Sequence, residues 1–146
     1  MRLNVEIVSA LLLGLAALEI LAIPVAWAYG EPMTPFVWSA LPAAVSGAVL
    51  LLWTHGADRQ MRPRDGLFVV CTAWVLVSLF GALPYITGHH LGIVDAIFES
   101  TSGFTTTGST VVVDVQTLPR SILLWRSMTQ WIGGMGIIVL TVAILP

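Results

Sequence analysis

The chain has 146 residues, 57% of them hydrophobic and 10% charged, where a soluble domain carries about 25% charged residues. Mean hydropathy is +0.91, which excludes an ordinary soluble domain and describes an integral membrane protein. The net charge of −2, with every basic residue an arginine, is too small to imply a nucleic-acid or acidic-lipid surface.

Four apolar spans follow in chain order: Val5 to Tyr29, Phe36 to Trp53, Gly66 to Thr87 and Ser121 to Leu145. Each is close to or above the roughly 20 residues that cross a bilayer core as a helix. The first has a basic start and ends in Ala26-Trp27-Ala28, the pattern of a cleavable signal peptide. Its apolar stretch from Ile7 to Ile23 is longer than the usual signal core, and it contains Glu19, so a retained helix is expected. Cys71 sits in an apolar run and is expected to be a packed free thiol.

Arginine placement sets the expected topology. The segment 55–65 holds Arg59, Arg62 and Arg64, and the positive-inside rule puts it in the cytoplasm together with the N-terminus. The turn Gly30 to Pro35 is then external. Arg120 and Arg126 count against this assignment unless Arg126 snorkels or pairs.

Between the third and fourth spans lies a segment of another kind. Leu91 to Pro119 is too polar, and too broken by Gly103 and Gly108, to cross a membrane. Ile93, Ala96, Ile97 and Ser100 keep helical spacing, and Asp95 and Glu99 favour the early turns of a helix. The pattern predicts a short re-entrant helix over 93–103, an extended return over 104–110 and a climb back through Val111 to Leu118. A short helix running into Thr105-Thr106-Thr107-Gly108-Ser109-Thr110 is what an ion-selectivity filter needs. Carbonyl oxygens of Thr106, Thr107, Gly108 and Ser109 replace an ion's water without adding fixed charge. Glycine permits the dihedral angles that turn successive carbonyls to one side, and threonine packs stiffly behind the strand. An external hydroxyl-rich loop is the alternative reading of the same residues.

Other residues carry weaker signals. Gly133-Gly134-Met135-Gly136 lacks the spacing and the preceding strand of a dinucleotide fingerprint. It reads as a close-packing surface, with a hinge in the last helix as the sharper alternative, since each glycine weakens a helix by about 1 kcal/mol against alanine. Glu19, mid-span, is either functional or a structural, hydrogen-bonded carboxyl. Glu99 is placed to anchor the filter, with Thr105 and Thr110 as further support. Asp114 is a solvated loop charge or a source of negative field at the mouth. His89 and His90 are adjacent and poorly placed to share one metal. Of the six tryptophans, most fall at span ends and suit an aromatic belt, whereas Trp74 and Trp131 are expected to pack deeper between helices.

Phe98-Glu99-Ser100, Thr105 to Thr110 and Leu118-Pro119, followed by Gln130-Trp131-Ile132-Gly133-Gly134-Met135-Gly136-Ile137-Ile138-Val139-Leu140 and Ala143 to Pro146, form a specific motif set. Upstream, Arg64-Asp65-Gly66 opens the third span and Leu83-Pro84-Tyr85 closes it. In this order they resemble the membrane subunit of the bacterial Trk/Ktr/HKT potassium-uptake superfamily, most closely its Trk branch. The match is strong from Arg64 onward and weak over the first two spans.

That resemblance implies an all-α membrane fold of four pseudo-repeats around one pore. Each repeat is a helix, a pore helix, a filter and a second helix. Residues 1–54 would be two extra N-terminal transmembrane helices, 55–65 a cytoplasmic loop and 66–146 the first repeat. Within that repeat, 66–87 and 120–146 would be the two long helices. It also implies potassium bound at Thr106, Thr107 and Gly108. In this family a glycine at the Gly108 position goes with potassium preference, and serine in one repeat with sodium permeation. Further implications are no covalent cofactor, no enzymatic chemistry, contact with membrane lipid, homodimers of the full subunit and a cytosolic nucleotide-binding regulatory subunit. The expected place is the bacterial inner membrane. One repeat supplies one wall of a pore, so the chain is expected to be the N-terminal portion of a longer subunit. Assembly of four copies, or a non-conducting assembly protein, are the alternatives.

Overall fold

The computed structural model describes residues 2–54 and 63–144, and among these every regular element is a helix, with no strand. The arginine-rich loop expected at 55–65 lies outside the described residues through 62. The first span is broken into α1 (Arg2–Leu21) and α2 (Ile23–Ala28), and the third into α4 (Pro63–Gly81) and α5 (Leu83–Thr87). The two breaks share one cause. Each lies at an alanine, Ala22 or Ala82, two residues before a proline, and that proline has no N–H for the carbonyl four residues back. Between the broken spans runs α3 (Thr34–Thr54), which carries Pro42 internally without a break.

Three segments are long and apolar enough to cross a membrane among the described residues: Val5–Ala28, Thr34–Thr54 and Val69–Thr87. The expected fourth, α7 (Arg120–Ile144), has 25 residues, about 37 Å at 1.5 Å per residue. Its length suffices to span, but its first half carries Arg120, Arg126, Ser127, Thr129 and Gln130. The reason for that polarity is the segment it packs against.

α1 and α3 pack along much of their length. Their seam is built from small residues: Ala16, Ala40 and Ala43 are buried together, which lets the two backbones approach closely. The second core gathers around α6 (Ile93–Phe104). Leu15, Phe36, Ala82, Tyr85, Ala96, Phe104, Ile122 and Trp125 form one buried cluster. The Phe104 ring meets Trp125 edge-on, with centroids 6.5 Å apart and planes at 75°. The break after Gly81 supplies a partner for that tryptophan. The Tyr85 N–H bonds the Ala82 carbonyl at 3.2 Å, and the Gly81 carbonyl accepts the Trp125 Nε1–H at 3.0 Å.

Two expectations are corrected here. Trp131 is 66% exposed on the isolated chain, and Trp125 is the fully buried tryptophan. Register explains the exchange, because the α7 face that meets α6 carries Ile122, Trp125, Thr129 and Gly133, spaced by three or four residues, and Trp131 falls off it. Cys71 is exposed rather than packed, lying off the face that α4 turns to its neighbours.

Candidate functional site

The 12 residues of α6 span about 18 Å, too short to cross a hydrocarbon core of about 30 Å. The helix starts after Gly92, in extended conformation, with Asp95 in the first turn, where its charge complements the helix dipole. It ends at Thr105 in a tight reversal. The Thr106 N–H bonds the Gly103 carbonyl and the Thr107 N–H bonds the Ser102 carbonyl, each at 3.0 Å. This is the paired closing arrangement in which the residue after the cap adopts left-handed dihedrals, a place usually taken by glycine. Here it is Thr106, at φ +56°. A β-branched residue there is a genuine outlier, and such strain costs about 1–3 kcal/mol and gathers at functional sites. Two residues on, Gly108 is also left-handed, at φ +76°.

Ser102, buried on α6, clamps the turn from behind. Besides the Thr107 N–H, its carbonyl takes a long 3.5 Å contact from the Gly108 N–H. Its hydroxyl donates to the Ser109 carbonyl at 2.6 Å. The N–H groups of Thr105, Thr106, Thr107 and Gly108 are thus all directed back to the last turn of α6. Among the described residues, no hydrogen bond is accepted by the carbonyls of Thr106, Thr107 or Gly108. All three residues are exposed on this chain. Thr105 and Thr107 share a hydroxyl contact of 2.8 Å, and the Thr105 hydroxyl also bonds the Thr101 carbonyl.

Glu99 holds the far side of the same turn. It is 2% exposed. Its Oε2 accepts the Thr110 hydroxyl at 2.8 Å and the Val111 N–H at 3.2 Å. Its Oε1 accepts the Arg126 Nε–H at 2.6 Å. The carboxylate therefore joins α6, the segment leaving the turn and α7. Arg126 pairs rather than snorkels, which explains a charged residue in the second turn of the fourth span.

α7 lies against the end of α6 because Gly133 has no side chain. A Cβ there would overlap the Phe104 carbonyl, and one at Gly103 would overlap Thr129. Gly134 and Gly136 are looser, at ordinary contact from Thr106 and Trp74, and α7 runs unbroken through the cluster. The start of α7 is held by Glu31, from the turn after α2. Its Oε1 accepts the Arg120 N–H at 2.6 Å, and its Oε2 accepts the Ser121 N–H at 2.9 Å and hydroxyl at 2.6 Å. Burial alone would raise the Glu31 pKa, but these hydrogen bonds and the Arg120 charge hold it below the usual carboxylate value. Asp114 caps the short 3-10 turn Val115–Thr117 through the Gln116 N–H.

Sequence reasoning placed Glu99, Thr105, Thr110 and the four filter residues together, and the structure brings them within one turn. It missed Ser102, Thr129 and Glu31. Ser102 was visible as a hydroxyl six residues before Gly108; Glu31 left no signal, because its partners are about ninety positions away. Glu19 is fully buried beside Ser39, and no hydrogen bond ties it to α6 or to residues 105–111.

Comparison with known proteins bears on this geometry. The TrkH family, described as cation transport protein, matches residues 36–146. The chain belongs to that family. It is 44% identical over 117 residues to the Trk system potassium uptake protein TrkH of Halomonas elongata, covering 75% of this chain and 24% of that protein. It is 47% identical over 100 residues to TrkH of Escherichia coli K12, covering 66% and 21%. The crystal structure of the potassium transporter TrkH from Vibrio parahaemolyticus superimposes with a TM-score of 0.93 at 36% identity, over 99% of this chain and 32% of that one. The chain thus spans about a quarter of the length of the curated relatives it matches. Family and apolar helices together make it a membrane protein.

Proposed function

We propose that residues 66–146 form one wall of a potassium pathway, in which the carbonyls of Thr106, Thr107 and Gly108 replace water around the ion, and the Ser109 carbonyl adds the lone pair that its bond to the Ser102 hydroxyl leaves over. One observation carries this reading. The turn spends its N–H groups on α6 and leaves the carbonyls of Thr106, Thr107 and Gly108 without partners among the described residues. Carbonyl oxygens bind an alkali cation closely enough to strip its water, yet weakly enough to release it. The C-terminal end of α6, the negative end of its dipole, runs into this turn. Glu99, Thr105 and Thr110 hold the turn in shape, and Gly133 lets α7 lie against it, with Gly133, Gly134 and Gly136 together as the place where α7 bends on opening.

A ring needs further walls, supplied by later repeats of a longer subunit or by further copies. Relatives are named as proteins of Trk systems, which supports a multi-component assembly. Its expected members are a homodimer of the full subunit and a cytosolic nucleotide-binding regulatory subunit. The arginine pattern supports an inner-membrane placement with the N-terminus inside. Movement of potassium is passive, with no bond made or broken and no resident cofactor.

The test is Gly108→Asp in the full-length transporter, with rubidium and potassium uptake measured in cells lacking other potassium uptake. Uptake should be abolished, because a side chain at φ +76° is strained and carries charge into the ion's path. A variant that reaches the membrane at normal level and takes up potassium at the original rate rules the filter out.

A further inference from the structure

We propose that Arg126 is a positioning residue for the filter, acting through Glu99, and that it thereby sets discrimination among alkali cations; this rests on the filter reading above. The argument starts from the acceptor arithmetic of Glu99. A carboxylate is acceptor-only, with two oxygens. One oxygen is taken by the Arg126 Nε–H and the other by the Thr110 hydroxyl and the Val111 N–H. The group is buried, and a buried carboxylate without a compensating charge is costly. Without the guanidinium, that charge keeps only the Thr110 hydroxyl and the Val111 N–H as partners, and a carboxylate that moves to regain a countercharge gives up the bonds that hold residues 110 and 111. The guanidinium therefore keeps the segment leaving the filter in place without touching it.

Two further contacts make the linkage rigid. Arg126 lies in the second turn of α7, whose first turn Glu31 fixes through three hydrogen bonds. One turn later, Thr129 packs against Gly103 at the end of α6. Upstream of Thr110, Ser109 is held by the Ser102 hydroxyl. The chain of contacts runs Glu31, α7, Arg126, Glu99, Thr110, with the filter turn pinned between Ser102 and Glu99. Loss of the Glu99 end frees one side of a backbone already strained at Thr106. Carbonyl spacing then varies, and size discrimination suffers before flux does.

The experiment uses the full-length transporter in proteoliposomes, comparing potassium, rubidium and sodium flux. Arg126→Gln should lower potassium-over-sodium selectivity by about fivefold to tenfold, the coupling usual for neighbours in one network. Arg126→Lys should restore part of it. Glu99→Gln alone leaves the guanidinium uncompensated beside a cation path, so it should reduce flux more than the Glu99→Gln/Arg126→Gln double variant. Unchanged selectivity in Arg126→Gln, or strictly additive single effects, overturns the proposal. Should Arg126→Gln fail to reach the membrane, Thr110→Val cuts the far end of the same chain and leaves the ion pair intact. Selectivity unchanged there overturns it equally. Gly108→Asp separates the two readings: if it abolishes flux while Arg126→Gln leaves selectivity intact, the filter stands and only the positioning role falls.

Discussion

The α1–α3 pair and the α4–α7 unit are held together in different ways. The first is a seam of alanines in which shape and volume do the work. Its one buried acid, Glu19, has no hydrogen-bond partner among the described residues, a lack shared in the second region by the Tyr85 and Ser100 hydroxyls. The second is specified group by group: Ser102 to Ser109, Glu99 to Thr110 and Arg126, Trp125 to Gly81. Packing by volume tolerates substitution that preserves volume. A network of buried polar groups does not, because a single lost partner strands the rest. The family match beginning at residue 36 omits α1 and α2 and takes in nearly all of α3, so it cuts across the first region.

The sharpest way to break this contrast is one substitution made in both regions. Gly133→Ala puts a methyl group into the Phe104 carbonyl, a backbone atom that cannot turn aside. It should destabilise the full-length protein by about 3 kcal/mol or more, seen as lost monodispersity in detergent or a large fall in Tm. Gly14→Ala meets nothing within 4 Å on this chain and should gain up to about 1 kcal/mol from helix propensity. Equal effects at both sites would remove the distinction drawn here.

A smaller effect sharpens it. Thr106→Gly relieves a β-branched residue at φ +56°. Left-handed dihedrals cost an L-residue about 1–2 kcal/mol, partly offset by the entropy of glycine, for a net gain of about 1 kcal/mol. Thermal stability should rise while potassium selectivity falls. A drop in stability would mean the threonine is not strained and that the turn is shaped by something other than its hydrogen bonds.

Legibility in the sequence follows the same physical line. Helices, the short α6 and the turn at Thr105 to Thr110 were readable because hydropathy and glycine spacing are local signals. The proline breaks were readable in principle, since Ala22-Ile23-Pro24 and Ala82-Leu83-Pro84 repeat one pattern, but a hydropathy count passes over them. Trp125 and Trp131 were exchanged because depth along a span says nothing about which side of a helix faces its neighbour. Arg126 argued against the topology until Glu99 was seen beside it. Contacts such as Glu31 with Arg120 and Ser121 join positions about ninety apart, and nothing in residue order announces them.

That last contact is also one join between the two regions, and it should be the place where pH acts, with the smallest effect. His90 lies beside it. Burial lowers the His90 pKa, Glu31 opposes that shift, and His89 adds to it. A histidine with a depressed folded pKa binds fewer protons folded than unfolded. Its stabilising contribution is therefore complete above its ordinary value of 6.5 and is lost as pH falls below it. Glu31, also depressed, contributes fully above the ordinary carboxylate value of 4.5 and loses its contribution as pH drops through its lower folded value. Both terms have the same sign, so stability should fall in two steps on acidification, each under about 1 kcal/mol because both groups are partly solvated. Tm measured across pH 3 to 8 should show the upper step vanish in His90→Asn and the lower one vanish in Glu31→Gln. A profile that is unchanged in both variants would show that the join does not respond to protons. A profile that rises on acidification would mean that His90 gains its charge on folding, with Glu31 outweighing burial.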